Sequence, residues 1–111
     1  MCVNIFSFYA APKPPPKDKF LKESSTFVML NLAAWEDGGC HILYFVIEYK
    51  PRSKADWMLV SNNVNMQKEQ YTILDLQPDI SYNLRVTAHN SAGSSFQEYE
   101  FMTRSNSGGK K

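Results

Sequence analysis

From Phe20 onward, apolar residues recur at every second position, not at every third or fourth. Within residues 26–35, Val28, Leu30 and Leu32 fall on one side, while Asn31 and Ala33 fall on the other. That alternation describes a half-buried strand. Glu36-Asp37-Gly38-Gly39 is a turn, its two glycines free to take positive φ. The next strand spans residues 42–50 and ends at Pro51, which has no N–H to give a ladder. In it, Phe45, Ile47 and Tyr49 share one face, and Tyr44, Val46 and Glu48 share the other. A short strand is predicted over residues 57–60, closed by Ser61-Asn62-Asn63. Another covers 70–76, with Tyr71, Ile73 and Leu76 as its apolar side, before the turn Gln77-Pro78-Asp79. Residues 81–89 give the cleanest alternation of all: Tyr82, Leu84, Val86 and Ala88 against Asn83, Arg85, Thr87 and His89. After Asn90-Ser91-Ala92-Gly93, the last strand runs over 96–103 with Tyr99 and Phe101 inward.

Short strands with a turn signal every ten residues or so, and no helical segment, predict an all-β sandwich or barrel. No internal repeat is present. The chain divides into an unassigned segment 1–11, a proline-rich linker 12–18, the folded domain 19–104 and a tail 105–111 rich in Gly, Ser and Lys. Pro12, Pro14, Pro15 and Pro16 favour polyproline II, the conformation of a semi-rigid spacer. Pro12-x-x-Pro15 also matches a minimal SH3 ligand, but the motif is common in linkers and the linker reading is preferred.

Composition narrows the function more than it refines the fold. The 111 residues make one domain, and their net charge of +1 gives no electrostatic reason to expect nucleic acid. Residues 42–47 form the longest apolar run, far short of the roughly 20 residues that span a bilayer. Residues 1–11 lack the positive n-region of a signal peptide and are read as a boundary or a preceding segment. There is no Asn-x-Ser/Thr sequon. Cys2 and Cys40 are the only cysteines; they fit no zinc signature and are expected to be unpaired.

Leu76-Gln77-Pro78-Asp79-Ile80-Ser81-Tyr82-Asn83-Leu84-Arg85-Val86-Thr87-Ala88-His89-Asn90-Ser91-Ala92-Gly93 closely resembles the Leu-x-Pro-x-x-x-Tyr-x-φ-x-Val-x-Ala-x-Asn-x-x-Gly run of fibronectin type III domains, φ being apolar. Trp35, Asp37-Gly38-Gly39, Ile42 and Phe45 add to it, and the likeness covers residues 12–103. It implies an immunoglobulin-like β-sandwich of seven antiparallel strands, three plus four. Trp35, Phe45, Leu76, Tyr82 and Val86 would define the fold, Tyr82 as the tyrosine corner whose hydroxyl returns to nearby backbone. More narrowly, residues 34–40, 43–52 and 71–76 resemble a module of the Down syndrome cell adhesion molecule family. One departure is His41, where that family favours Pro, which leaves the loop 36–41 less rigid. The resemblance implies an extracellular module of a membrane-anchored neuronal receptor. Its partner would be a protein, homophilic through the parent, and its work adhesion, self-avoidance and axon guidance. The alternative is a ligand-binding or accessory module of another receptor or secreted protein. A cytokine-type receptor would want a Trp-Ser-x-Trp-Ser signature, which is missing.

No catalytic, cofactor or metal site is expected. His41 and His89 lack a neighbouring cluster at ligand spacing and read as solvated. No serine sits in a nucleophile elbow, and Gly38-Gly39 and Gly108-Gly109 lack the Lys-Ser/Thr of a phosphate loop. The candidate interface is Tyr44, Val46 and Trp57, outward residues of the middle strands. The plainer account of Trp57 is a local minicore folded over the sheet.

Overall fold

A computed structural model describes residues 10–65 and 68–105. In chain order it has a one-turn helix α1 (Lys17–Phe20), strands β1 (Leu21–Glu23) and β2 (Val28–Asn31), a 3-10 turn (Leu32–Ala34), and β3 (Tyr44–Pro51). These are followed by β4 (Met58–Asn65), β5 (Gln70–Ile73), β6 (Ser81–Asn90) and β7 (Gly93–Met102). The seven strands form two antiparallel sheets, β1-β2-β5 and β4-β3-β6-β7. The architecture is the expected three-plus-four sandwich.

The longest strands are those whose sequences alternate longest. Burial along β6 alternates without a break, and the strand is paired along its length, with β3 from Pro51↔Tyr82 to Tyr44↔His89 and with β7 from Ser81↔Met102 to Asn90↔Gly93. Val28, Leu30, Leu32, Phe45, Ile47, Leu84, Val86 and Ala88 are fully enclosed between the sheets. Each large side chain so buried contributes about 1.5–3 kcal/mol.

Several boundaries differ from the sequence reading, each for a local reason. The second strand stops at Asn31, because Leu32-Ala33-Ala34 breaks the alternation and curls into a 3-10 turn whose Leu32 and Ala33 N–H groups both reach Glu69 O. Residues 61–63 continue β4 instead of closing it: Ser61 pairs with Ile47 and Val64 with Phe45 across register shifts that absorb the extra residues. The strand expected over 70–76 ends at Ile73; Asp75 then takes a positive φ of 63°, and Leu76 is buried next to it. The helical turn α1, absent from the sequence reading, follows directly on Pro16, which has φ −68°. Its purpose in the fold is to turn Phe20 inward, where that ring is 1% exposed.

Two further expectations are corrected. The proline-rich stretch is no free linker but lies against the sandwich, with Lys13 and Glu36 exchanging backbone hydrogen bonds of 2.8 and 3.0 Å. Proline removes the N–H groups a full ladder would need, so only Lys13 pairs in this way. Cys40 is not a free thiol: it is disulfide-bonded. The one other cysteine of the sequence, Cys2, lies outside the described residues, as do 1–9 and most of the 105–111 tail.

Candidate functional site

Because β6 alternates throughout and β3 over residues 44–47, each inward side chain there leaves its neighbours on the outer surface of the four-stranded sheet. Register then builds that surface row by row. Tyr44 lies beside His89, the rings stacked at 4.4 Å and 13°. Val46 lies beside Thr87, which lies beside Phe96, and Phe96 is 58% exposed. Glu48 lies between Leu59 of β4 and Arg85 of β6, and Arg85 is followed by Glu98. Next come Lys50, Asn83 and Glu100.

The face therefore has two chemistries. One half, around Tyr44, Val46, Thr87, His89 and Phe96, carries no carboxylate, lysine or arginine. The other is a charge network. Arg85 Nε donates to Glu48 Oε1 at 3.0 Å and a second guanidinium nitrogen lies 3.7 Å from Glu98, while Arg52 contacts Glu100 at 2.9 Å. The Glu48 hydrogen bond, reinforced by both carboxylates, holds Arg85 above its ordinary pKa. Trp57 lies over this network, its ring 4.2 Å from the Arg85 guanidinium and 5.5 Å from Lys50 Nζ.

The candidate interface residues thus share one face but not one cluster. Tyr44 and Val46 are half-buried neighbours in the neutral half, and Trp57 belongs to the charged half as a cover over Arg85. Phe96 and His89 belong to the neutral half too; the sequence named His89 only as a solvated histidine and did not single out Phe96. The missing signal was register: only pairing β6 to both neighbours sets Phe96 beside Thr87 and Val46. The fold-defining candidates lie on the other side. Trp35 stands edge-on to Phe20 and Phe45, at 6.4 and 5.8 Å between centroids, and its indole N–H has no partner among the described residues. Phe45 and Val86 are fully enclosed, and Leu76 is 4% exposed. Tyr82 is 3% exposed, and its hydroxyl accepts the Gln77 N–H at 2.8 Å. Buried Thr103 completes this corner, accepting from Ile80 N–H at 3.0 Å and donating to Gln77 O at 2.6 Å. Sequence reading did not single out that threonine.

His41 is almost wholly exposed, 3.9 Å from Asp37, and His89 is engaged with Tyr44. Among the described residues, no group of three or more His, Cys, Asp or Glu could hold a metal ion. No helix among them is long and apolar enough to cross a membrane.

A three-plus-four antiparallel sandwich with a tyrosine corner at the start of β6 is the architecture of a fibronectin type III module. Solved structures agree on the fold: a myokine superposes with a TM-score of 0.65 at 17% identity, covering 87% of this chain and 99% of that one. Domains of titin superpose at 0.56 and 23% identity, covering 86% of this chain and 32% of that one. A family model described as the DSCAM/DSCAML C-terminal Fn3-like domain matches residues 23–111, and the chain belongs to that family. Its relatives include the cell adhesion molecule Dscam1 of Drosophila melanogaster, 48% identical over 98 residues, which cover 88% of this chain and 5% of that protein. The cell adhesion molecule DSCAM of Homo sapiens is 34% identical over 87 residues, covering 78% of this chain and 4% of that protein. The chain thus spans only a small part of the relatives it matches.

Proposed function

We propose that this chain is a non-catalytic spacing and contact module in the extracellular part of a membrane-anchored neuronal adhesion receptor. Through that parent it serves homophilic adhesion, self-avoidance and axon guidance. The observation that carries the reading is 48% identity to a cell adhesion molecule over nearly the whole chain. A rigid antiparallel sandwich suits the spacing part, since it holds a fixed length between its two ends. In the same reading Trp35, Phe45, Leu76, Tyr82 and Val86 define the fold, and Tyr44, Val46 and Trp57 lie on the contact face.

The occupant proposed for that face is a second copy of the chain. Its acidic residues Glu48, Glu98 and Glu100 are matched by Lys50, Arg52 and Arg85, mostly in contact with one another. Two such faces meet without a net charge opposing them, and a two-fold axis asks for a surface that tolerates itself. Sedimentation equilibrium over a wide concentration range tests the proposal. A reversible dimer, lost when Tyr44 and Val46 are both changed to Ser with the melting temperature little altered, supports it. A monomer at every concentration leaves a spacer whose adhesive contacts lie in other parts of the parent.

A further inference from the structure

The chain reaches the sandwich along residues 10–16, and apart from the Lys13–Glu36 bridge its carbonyls are met there by groups that no strand ladder would supply. Ala10 O accepts Asn90 Nδ2 at 2.9 Å. Pro12 O accepts the Ser95 hydroxyl. Lys13 O accepts the Glu36 N–H at 3.0 Å, Pro15 O the Tyr99 hydroxyl at 2.7 Å, and Pro16 O the Lys19 N–H at 3.1 Å. Two of the three N–H groups that this stretch possesses donate as well: Ala10 to Gly38 O at 3.1 Å and Lys13 to Glu36 O at 2.8 Å. Side chains of β6 and β7 supply donors where prolines cannot form a two-way ladder.

One residue organises the far end of this contact. Asn90, 7% exposed, directs its amide at three carbonyls, those of Ala10, Asp37 and Cys40, at 2.9, 2.8 and 3.1 Å. With two N–H groups for three acceptors, one is shared. Its oxygen accepts the N–H groups of Ala92 and Gly93, at 2.8 and 2.9 Å. A single side chain therefore joins the arriving chain, the loop 36–41 and the β6–β7 turn. Gly38 completes the fit: at φ +70° it lies so close to the carbonyls of Ala10 and Ala11 that a Cβ there would overlap them.

We propose that residues 10–16 are a docked strap, locked by Asn90, Ser95 and Tyr99, that fixes the direction in which the chain arrives at the module. The module then passes on orientation as well as length, because no slack lies between Ala10 and the sandwich. This rests on the spacing role proposed above. It stands or falls separately from self-association, since its test reads the strap alone.

The test is backbone relaxation and amide exchange by NMR on the complete chain. Order parameters at Ala10, Ala11 and Lys13 should equal those of β6, near the 0.85 of rigid backbone, and values under about 0.6 would overturn the proposal. Changing Asn90→Ala should then speed exchange of the Lys13 and Glu36 amides by about tenfold, the factor that one lost hydrogen bond implies. The pair Ser95→Ala and Tyr99→Phe keeps the tyrosine ring and is the safer variant for folding; it should act in the same direction, with Leu84 and Val86 amides unmoved. Strap amides that do not respond to either variant would show that these donors do not hold it. Strap and β6 amides accelerating in step would show that it is no separable element.

Discussion

Strand β6 is pinned at both ends by a buried polar side chain, and the two pins differ in reach. At its start, the Tyr82 hydroxyl accepts the Gln77 N–H, five residues away. At its end, the Asn90 amide holds carbonyls 80, 53 and 50 residues away. Tyr82 closes a turn that its own neighbourhood encodes, whereas Asn90 gathers segments that meet only once the sheets have formed. A local pin adds one hydrogen bond to a corner already bent by Pro78 and by Asp79 at φ 57°. A long-range pin, when removed, takes a donor from several carbonyls at once, the buried one of Cys40 among them. The energetic weight should follow the number of groups stranded, not the prominence of the motif.

The largest expected effect breaks the comparison at the far end. Asn90→Ala takes the donor from the buried Cys40 carbonyl and from the part-buried Ala10 and Asp37 carbonyls, the last of which keeps the Cys40 N–H, and should cost roughly 2–4 kcal/mol in urea unfolding. A loss smaller than that of Tyr82→Phe would reverse the ranking. Gly38→Ala attacks the same end from the opposite side. A methyl group at positive φ, overlapping the Ala10 and Ala11 carbonyls, should cost about 2 kcal/mol and loosen the strap without touching Tyr82. If its cost matches an ordinary surface change, the close approach of loop and strap is not maintained in solution. Tyr82→Phe keeps the ring and loses only the hydroxyl, so about 1 kcal/mol is expected by the same measurement; a value several times greater would make the two pins equivalent.

The smallest effect is a pH dependence. Burial pushes the Tyr99 hydroxyl up to about 12 from its ordinary 10.0, and burial, then Tyr82 and Asp75, raises Tyr49 as well. Both groups hold their protons more tightly in the folded chain. Their contribution is complete below the unfolded pKa near 10 and is lost above it, that of Tyr99 as pH rises toward about 12. Thermal melts across that window should fall, and less steeply in Tyr99→Phe, where Tyr49 alone remains. An identical alkaline slope in the variant would remove Tyr99 from the account.

The two faces of β3 repeat the lesson in another form. Phe45 and Ile47 inward, Tyr44 and Val46 outward, was legible from alternation alone, because a strand's period of two is a local property. What stands beside Tyr44 was not: His89 arrives by register across β6, and Trp57 comes to lie over Arg85 only after β4 has folded back along β3. The mis-drawn boundaries have the same origin. Ser61-Asn62-Asn63 read as a closing turn on propensity, yet β3 was there to pair with their segment, and tertiary context prevailed.

By itself, the sequence determined the all-β class, the inward set Phe45, Ile47, Tyr82, Leu84 and Val86, the tyrosine corner and the family resemblance. The class and the inward set rest on a spacing of two residues, which chain stereochemistry turns directly into faces, while the tyrosine corner is what the family resemblance implies. Only the tertiary structure decided that residues 10–16 dock, that Cys40 is bonded, that Thr103 completes the corner and that Asn90 joins two distant segments to its own turn. The physical reason is that a buried carbonyl must find a donor wherever the fold has brought one, and proline denies the usual ladder to this stretch. Which side chain answers depends on neighbours in space, and those neighbours lie dozens of residues away along the chain.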